Sequence, residues 1–272
     1  MNLLSYDFMQ RALVAAALVG LLAPLIGVFL VQRRLALLGD GMGHVALTGV
    51  GLAFLLGTAP IPTAMVTAAL GAFLIEFIRF RGRAAGDVAL ALLFYGGIAG
   101  GVLFASLAPG RASSSLNAYL FGSLATVATG DIVALVVLFV IVIGLIALFG
   151  RELFAVSLDA DLAAVQGIRV RVMSTLLAVL AAVTVVVGMR VVGLLLVSAI
   201  MIVPVAAAQQ VTRSFRSTMA LAVLLGLVAS LAGLVVSFSV EVPPGPTIVL
   251  IALALFAILA LTAVSLRRRR AA

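Results

Sequence analysis

Asp40 and His44 stand four residues apart within Leu37 to Thr48, inside an otherwise apolar segment. In a helix this spacing stacks carboxylate and imidazole on one face, and Thr48 continues that face by another turn. His44 is the only histidine in the chain. Such a pair can bind a divalent cation through one oxygen and one nitrogen. It can relay protons, or steady a helix start with Asp40 as N-cap. Gly41 and Gly43 leave room for another backbone to come close. Membrane depth weighs against the plain cap, because ionisable residues there are costly and serve function.

The elements that must carry this pair are membrane spans. The chain has 272 residues, is 65% hydrophobic and 10% charged, and has a mean hydropathy of +1.39. Soluble domains are about 45–50% apolar and about 25% charged. The fold class is therefore all-α, a polytopic helical membrane protein. Its apolar runs are continuous for about 20 residues, whereas barrel strands alternate. The net charge of +8 is no sign of nucleic-acid binding. All 17 basic residues are arginines clustered in the gaps between apolar runs, as the positive-inside rule requires. With no cysteine in the chain, thiolate metal sites and disulfides are excluded. The first apolar run lacks a cleavage site and is expected to be a retained span.

Taken in order, the runs fall at about 12–32 (with Pro24), 38–58, 61–78, 86–108, 131–149, 172–189, 191–210 (with Pro204), 219–239 and 247–266. That predicts about nine spans, or eight if the sixth and seventh form one broken element at Gly188 to Arg190. Thr58 to Pro62 reads as a turn, and Val242 to Pro246 as a turn that excludes helix. Gly96, Gly97, Gly100 and Gly101 offer a close-packing face. Glu76 is expected to form a surface pair with Arg79 or Arg83. Residues 116–124 are too short to span and are expected at the interface. Arg151 to Arg171 is the one extended polar segment, and 157–167 within it reads as a short helix. Ser157 or Asp159 would cap its start and Gly167 would end it.

Alternating the runs puts arginines 33, 34, 79, 81, 83, 151, 169, 171, 213, 216 and 267–270 on one side, leaving only Arg11, Arg111 and Arg190 on the other. The rich side is the cytoplasmic one. The C-terminus is then inside, the N-terminus outside, and Asp40 and His44 lie in the inner half of the membrane.

Six stretches, in order, resemble one family. Leu30 to His44 is similar to its LV-x-RR-x-x-LLGDA-x-SH signature, and Ala46 to Val50 to the following ALPGVALAF. Tyr119 to Leu124 matches YLFGS, and Asp159 to Gly167 matches D-x-x-x-A-x-x-x-G. Val192 to Pro204 matches VG-x-LL-x-SALLI-x-P, and Pro244 to Val249 matches P-x-GP-x-IV. These are motifs of the permease subunits of ATP-binding-cassette importers for zinc and manganese, the ABC-3 permeases fed by cluster A-I metal-binding proteins. The resemblance covers nearly the whole chain.

It implies a single transmembrane permease domain, 1–272, with a fold like the vitamin B12-type importer permeases. It implies a homodimer in the cytoplasmic (inner) membrane, a cytoplasmic ATPase dimer that uses the ATP, and an extracellular or periplasmic metal-binding protein. The divalent metal, zinc or manganese, is the transported substrate, and no permanently bound cofactor is expected. The family's aspartate and histidine fall on Asp40 and His44 as metal ligands, with Thr48 on the path. Its ATPase-coupling helix falls on 157–167, with Asp159, Ala163 and Gly167. Gly43 stands where the family has serine, and Thr48 where it has proline.

The residues agree. One aspartate and one histidine are too few for a closed structural site, while two facing copies would supply two of each. No G-x-x-x-x-G-K-[ST] loop is present, so the energy comes from another chain. Three other readings remain: a permease of the same fold for a siderophore or cobalamin chelate, a proton-coupled secondary transporter, and an intramembrane protease. A chelate pore does not need bare ligands. A secondary transporter leaves the 157–167 helix unexplained. A zinc protease requires His-Glu-x-x-His, and a serine protease requires His44 near a serine such as Ser198.

Overall fold

The computed structural model describes residues 7–81, 86–109, 119–120, 122, 127–190 and 192–271, with backbone alone at 86–87, 195 and 266–271. Arg83, Arg111, the arginine side chains at 267–270 and most of the 116–124 stretch lie outside that description. The described elements are helices: α1 (Asp7–Gln32), α2 (Leu38–Leu56), α3 (Pro60–Phe80), α4 (Gly86–Leu107), α5 (Thr129–Leu158), α6 (Ala160–Val165), α7 (Val170–Gly188), α8 (Leu194–Gln209), α9 (Phe215–Val240) and α10 (Pro244–Ala271). Eight are long and apolar enough to cross a membrane. The seventh run, α8, is shorter at 16 residues. The sixth and seventh runs are thus two helices parted between Gly188 and Leu194.

Several boundaries differ from the sequence reading. The fifth run does not stop near 149, because α5 continues to Leu158. Leu153, Val156 and Ser157 recur at helical spacing and are buried, so the extra turns bury a stripe of their own. Ser157 therefore lies inside α5 and caps nothing. Helix also enters both proline turns, with Pro60 opening α3 and Pro244 opening α10. A proline in the first turn gives up an N–H that has no helical partner there.

α1, α2 and α7 form the buried centre, with α2 packed between α3 and α4, and α1 between α8 and α9. α5 and α10 are the most outward spans, and Val140, Leu148 and Leu261 point away from the bundle. An apolar outer surface of this kind suits hydrocarbon rather than water.

Ionic contacts mark the two ends. At one, Arg33 Nη2 donates to Ser174 Oγ at 2.8 Å, Arg171 lies 5.4 Å over the Phe80 ring, and Glu76 pairs with Arg79. Glu76 is only 2% exposed, so this is a buried pair and not the expected surface one. The close join of α3 to α7 covers it. Burial pushes the Arg33 guanidinium below its ordinary range, and the Glu76 charge opposes that shift. At the other end Arg190 Nη1 donates to Asp131 Oδ1 at 2.8 Å, tying the α7–α8 break to the start of α5.

Candidate functional site

Asp40 and His44 lie on one face of α2, one turn apart, as their spacing requires. Asp40 is in the first turn and is not the N-cap. Leu37 holds that position, with helical backbone angles and no capping side chain. The Asp40 carboxylate is thereby left for other partners. Its Oδ1 accepts a hydrogen bond from Ser198 Oγ of α8 at 3.2 Å, and lies 4.0 Å from His44 Nε2. Asp40 is about a third exposed, whereas His44 is 5% exposed. The imidazole meets the Phe94 ring of α4 edge-on, centroids 4.2 Å apart. His44 Nδ1 is buried and has no hydrogen-bond partner among the described residues.

The 4.0 Å gap is too long for a hydrogen bond. It is also wider than the roughly 3.0–3.4 Å between adjacent ligand atoms on one cation, so an ion held by both would draw the two side chains together. Among the described residues no group of three or more His, Cys, Asp and Glu could hold a metal. One chain therefore offers two protein donors, which suits an ion in passage better than a permanent one.

α4 holds this face in place. A Cβ on Gly97 would sit 2.6–2.8 Å from the His44 carbonyl and the Val45 nitrogen, so only glycine allows the two backbones this close. Gly101, one turn on, packs on Leu47. Thr48 Oγ1 donates across the seam to the Gly97 carbonyl at 2.8 Å. Thr48 thus stitches α2 to α4 where the family pattern has proline. Gly41 and Gly43 do not admit a backbone, contrary to expectation. Their nearest neighbours are side chains, Leu90 for Gly41 and Leu194 and Val185 for Gly43. The helices cross a turn later, at the level of Val45 to Thr48.

The second candidate region is α6. It is shorter than 157–167 but sits inside it. The Asp159 carboxylate caps the start, accepting N–H bonds from Asp161 at 2.9 Å and Leu162 at 3.0 Å. Gly167 closes the end with φ +82°. Its N–H bonds the Ala164 carbonyl, and Ile168 N–H bonds that of Ala163. This paired closure needs a left-handed residue, which glycine supplies at least cost. Ala163 is buried and seats the helix, while Leu162 and Val165 stand exposed at 54% and 86%.

The fold adds Ser198 and Phe94 to the site residues read from the sequence, and it sets the expected close-packing face at Gly97 and Gly101 against α2. Ser198 was considered there only as a protease nucleophile. Its hydroxyl in fact faces the carboxylate and not the imidazole. The one signal for it was a hydroxyl inside the apolar run before Pro204. Nothing in the sequence paired Phe94 with His44.

A helical bundle that holds one acid–imidazole pair inside its spans fits the membrane-embedded subunit of a transporter, and the family match assigns that class. The ABC 3 transport family matches residues 5–263, and the chain belongs to that family. It is a multi-pass ABC transporter permease, a transport subunit rather than a catalytic enzyme. The manganese transport system membrane protein MntC of Halalkalibacterium halodurans is 33% identical over 259 residues, covering 94% of this chain and 88% of that protein. The solved structure of PsaBC from Streptococcus pneumoniae in complex with Fab matches with a TM-score of 0.85 at 31% identity, covering 95% of this chain and 92% of that one. At 19% identity, a metal-chelate type ABC transporter in an inward-facing conformation matches with a TM-score of 0.76 over 93% of this chain and 86% of that one. The last likeness speaks to fold alone, and the expected importer-permease fold is the one found.

Proposed function

We propose that this permease moves a divalent metal ion, manganese before zinc, through the plasma membrane into the cytoplasm, and that Asp40 and His44 are its ligands. The observation that carries the reading is the buried His44, whose Nε2 lies 4.0 Å from the Asp40 carboxylate on the same face of α2. The donors are one carboxylate oxygen and one imidazole nitrogen, with no thiolate in the chain. The relative named above for manganese supports that ion first.

Ser198 is a positioning residue in this scheme. Its hydroxyl holds Asp40 Oδ1 toward His44 from a different helix. Two copies of the chain would face each other across the path and bring two Asp40/His44 pairs to one ion. Thr48 serves the path indirectly, through the seam with α4. An ATPase dimer would dock on α6, with Asp159 and Gly167 shaping the helix, Ala163 seating it, and Leu162 and Val165 making contact. The arginine-rich end, with α6 and the C-terminus, is then cytoplasmic. The N-terminus is outside, on the face that receives a metal-binding protein.

The test is uptake of labelled manganese and of labelled zinc by cells carrying the native chain or His44→Ala, with the partner subunits present. Manganese uptake that falls to background in His44→Ala, at unchanged membrane abundance, is the expected result. Uptake of both ions independent of His44 would remove the site.

A further inference from the structure

A groove of about 480 Å³ runs between α1, α5 and α9, with neither Asp40 nor His44 in its lining. Three phenylalanines floor it. Phe215 lies 5.2 Å from Phe29 and 4.7 Å from Phe154, centroid to centroid, and Met219 extends the apolar wall. Two arginines, Arg151 and Arg216, complete the lining. Both are exposed and neither has an ion-pair or hydrogen-bond partner among the described residues. By contrast, Arg33, Arg79 and Arg190 are each hydrogen-bonded to a side chain.

The depth of these two arginines matters. At 1.5 Å per residue, Arg151 stands about 33 Å along α5 from Thr129, against a hydrocarbon core of about 30 Å. Arg216 is in the first turn of α9. The two guanidinium groups therefore sit at headgroup level, at the arginine-rich end. Beyond them the groove continues as aromatic and aliphatic surface on helices whose outer faces are apolar, such as Ile143 and Leu148 of α5. Acyl chain and phosphate are the two chemistries that this order of surfaces fits. A zwitterionic headgroup also carries a phosphate, but its own ammonium offsets that charge, so two unpaired arginines favour a headgroup of net negative charge.

We infer that this groove binds an anionic glycerophospholipid, its phosphate between Arg151 and Arg216 and an acyl chain over Phe29, Phe154 and Phe215. Arginine's planar fork suits phosphate oxygens, and basic pockets between spans on the cytoplasmic side select acidic headgroups. The lipid would brace the cytoplasmic half of α5, the helix that leads into α6, against α9.

The chain contains no tryptophan, so Met219→Trp gives a single reporter in the groove. The full chain carrying it is reconstituted in phosphatidylcholine vesicles containing a minor fraction of brominated phosphatidylglycerol or, separately, brominated phosphatidylcholine. Quenching should favour the anionic lipid by roughly tenfold, given two basic contacts. Adding Arg151→Gln and Arg216→Gln should reduce the preference to within about twofold, while Arg169→Gln with Arg213→Gln, equal in charge but off the groove, should retain it. Native mass spectrometry of the unsubstituted chain, titrated with the same two lipids, gives the same answer without the reporter. Equal quenching by both lipids overturns the proposal. So does a preference that survives loss of Arg151 and Arg216, because the cause is then general surface charge. If neither lipid quenches the tryptophan, another protein or a second copy covers this face, and the proposal fails.

Discussion

The α2–α4 seam and the α6 helix both carry polar residues that interrupt apolar sequence, but they treat those residues in opposite ways. In α6 the polar groups are satisfied locally. Asp159 accepts two N–H bonds at the start, and Gly167 and Ile168 close the end. What stays unsatisfied is apolar, Leu162 and Val165, exposed on a short helix outside the spans. In the seam the backbone is packed to contact at Gly97, and the polar groups are the ones left wanting. His44 Nδ1 has no partner among the described residues, and Asp40 holds one hydroxyl. A surface with spare apolar area asks for a protein partner. One region thus leaves apolar surface uncovered, and the other leaves buried polar groups under-bonded.

The contrast can be broken most forcefully at the seam. Gly97→Val drives a side chain into the His44 backbone. It should destabilise the bundle by about 3 kcal/mol or more, seen as lost yield and a lower thermal midpoint of the purified chain. Normal stability would mean that α4 does not hold α2 as described. Next in size is Asp40→Asn, which keeps the shape and removes the charge. Manganese uptake should drop about 100-fold at unchanged folding, since each lost ligand acts on an ion with few others. Full uptake would return the pair to a structural role.

Smaller effects sharpen the comparison. Ser198→Ala removes one hydroxyl donor to a carboxylate, worth about 1.5 kcal/mol, so half-saturation for manganese should rise about tenfold with little change in maximal rate. Ser198→Thr should restore it, and equal behaviour of Ala and Thr would deny the hydroxyl a part. Asp159→Ala should cost about 1 kcal/mol of cap and weaken ATPase co-purification by a few-fold, with metal affinity unchanged. Gly167→Ala is the mildest. A Cβ there meets nothing within 4 Å, so only the left-handed backbone penalty of about 1 kcal/mol remains. A loss of metal affinity in either α6 variant would mean that the two regions are not separate.

Much of this was legible without coordinates. Run length and composition give an all-helical membrane bundle, because a bilayer tolerates few other backbones. The Asp40/His44 pair is legible because i and i+4 share a face in any helix. Asp159 and Gly167 are legible because a cap's chemistry is local. The errors lie where tertiary contact decides. Asp40 looks like an N-cap, yet the turn from Leu35 starts α2 at Leu38, with Leu37 as N-cap. Gly41 and Gly43 look like close-approach glycines, yet the backbone contact falls to the Gly97 and Gly101 face of α4, which the sequence also offered. Glu76 looks like a surface residue at the end of a span, yet α7 covers it.

By itself, then, the sequence determines which elements exist, which end is basic, and which two side chains share the face of α2. Each of these depends on period, composition or neighbours a few residues away. The tertiary structure alone decides that Ser198, 158 positions on, faces Asp40, that Phe94 flanks His44, and that α5 and α9 bring Arg151 and Arg216 to one groove. Those pairings depend on how helices cross. Crossing is set by the summed fit of small and large side chains along whole seams, a sum that no local pattern contains.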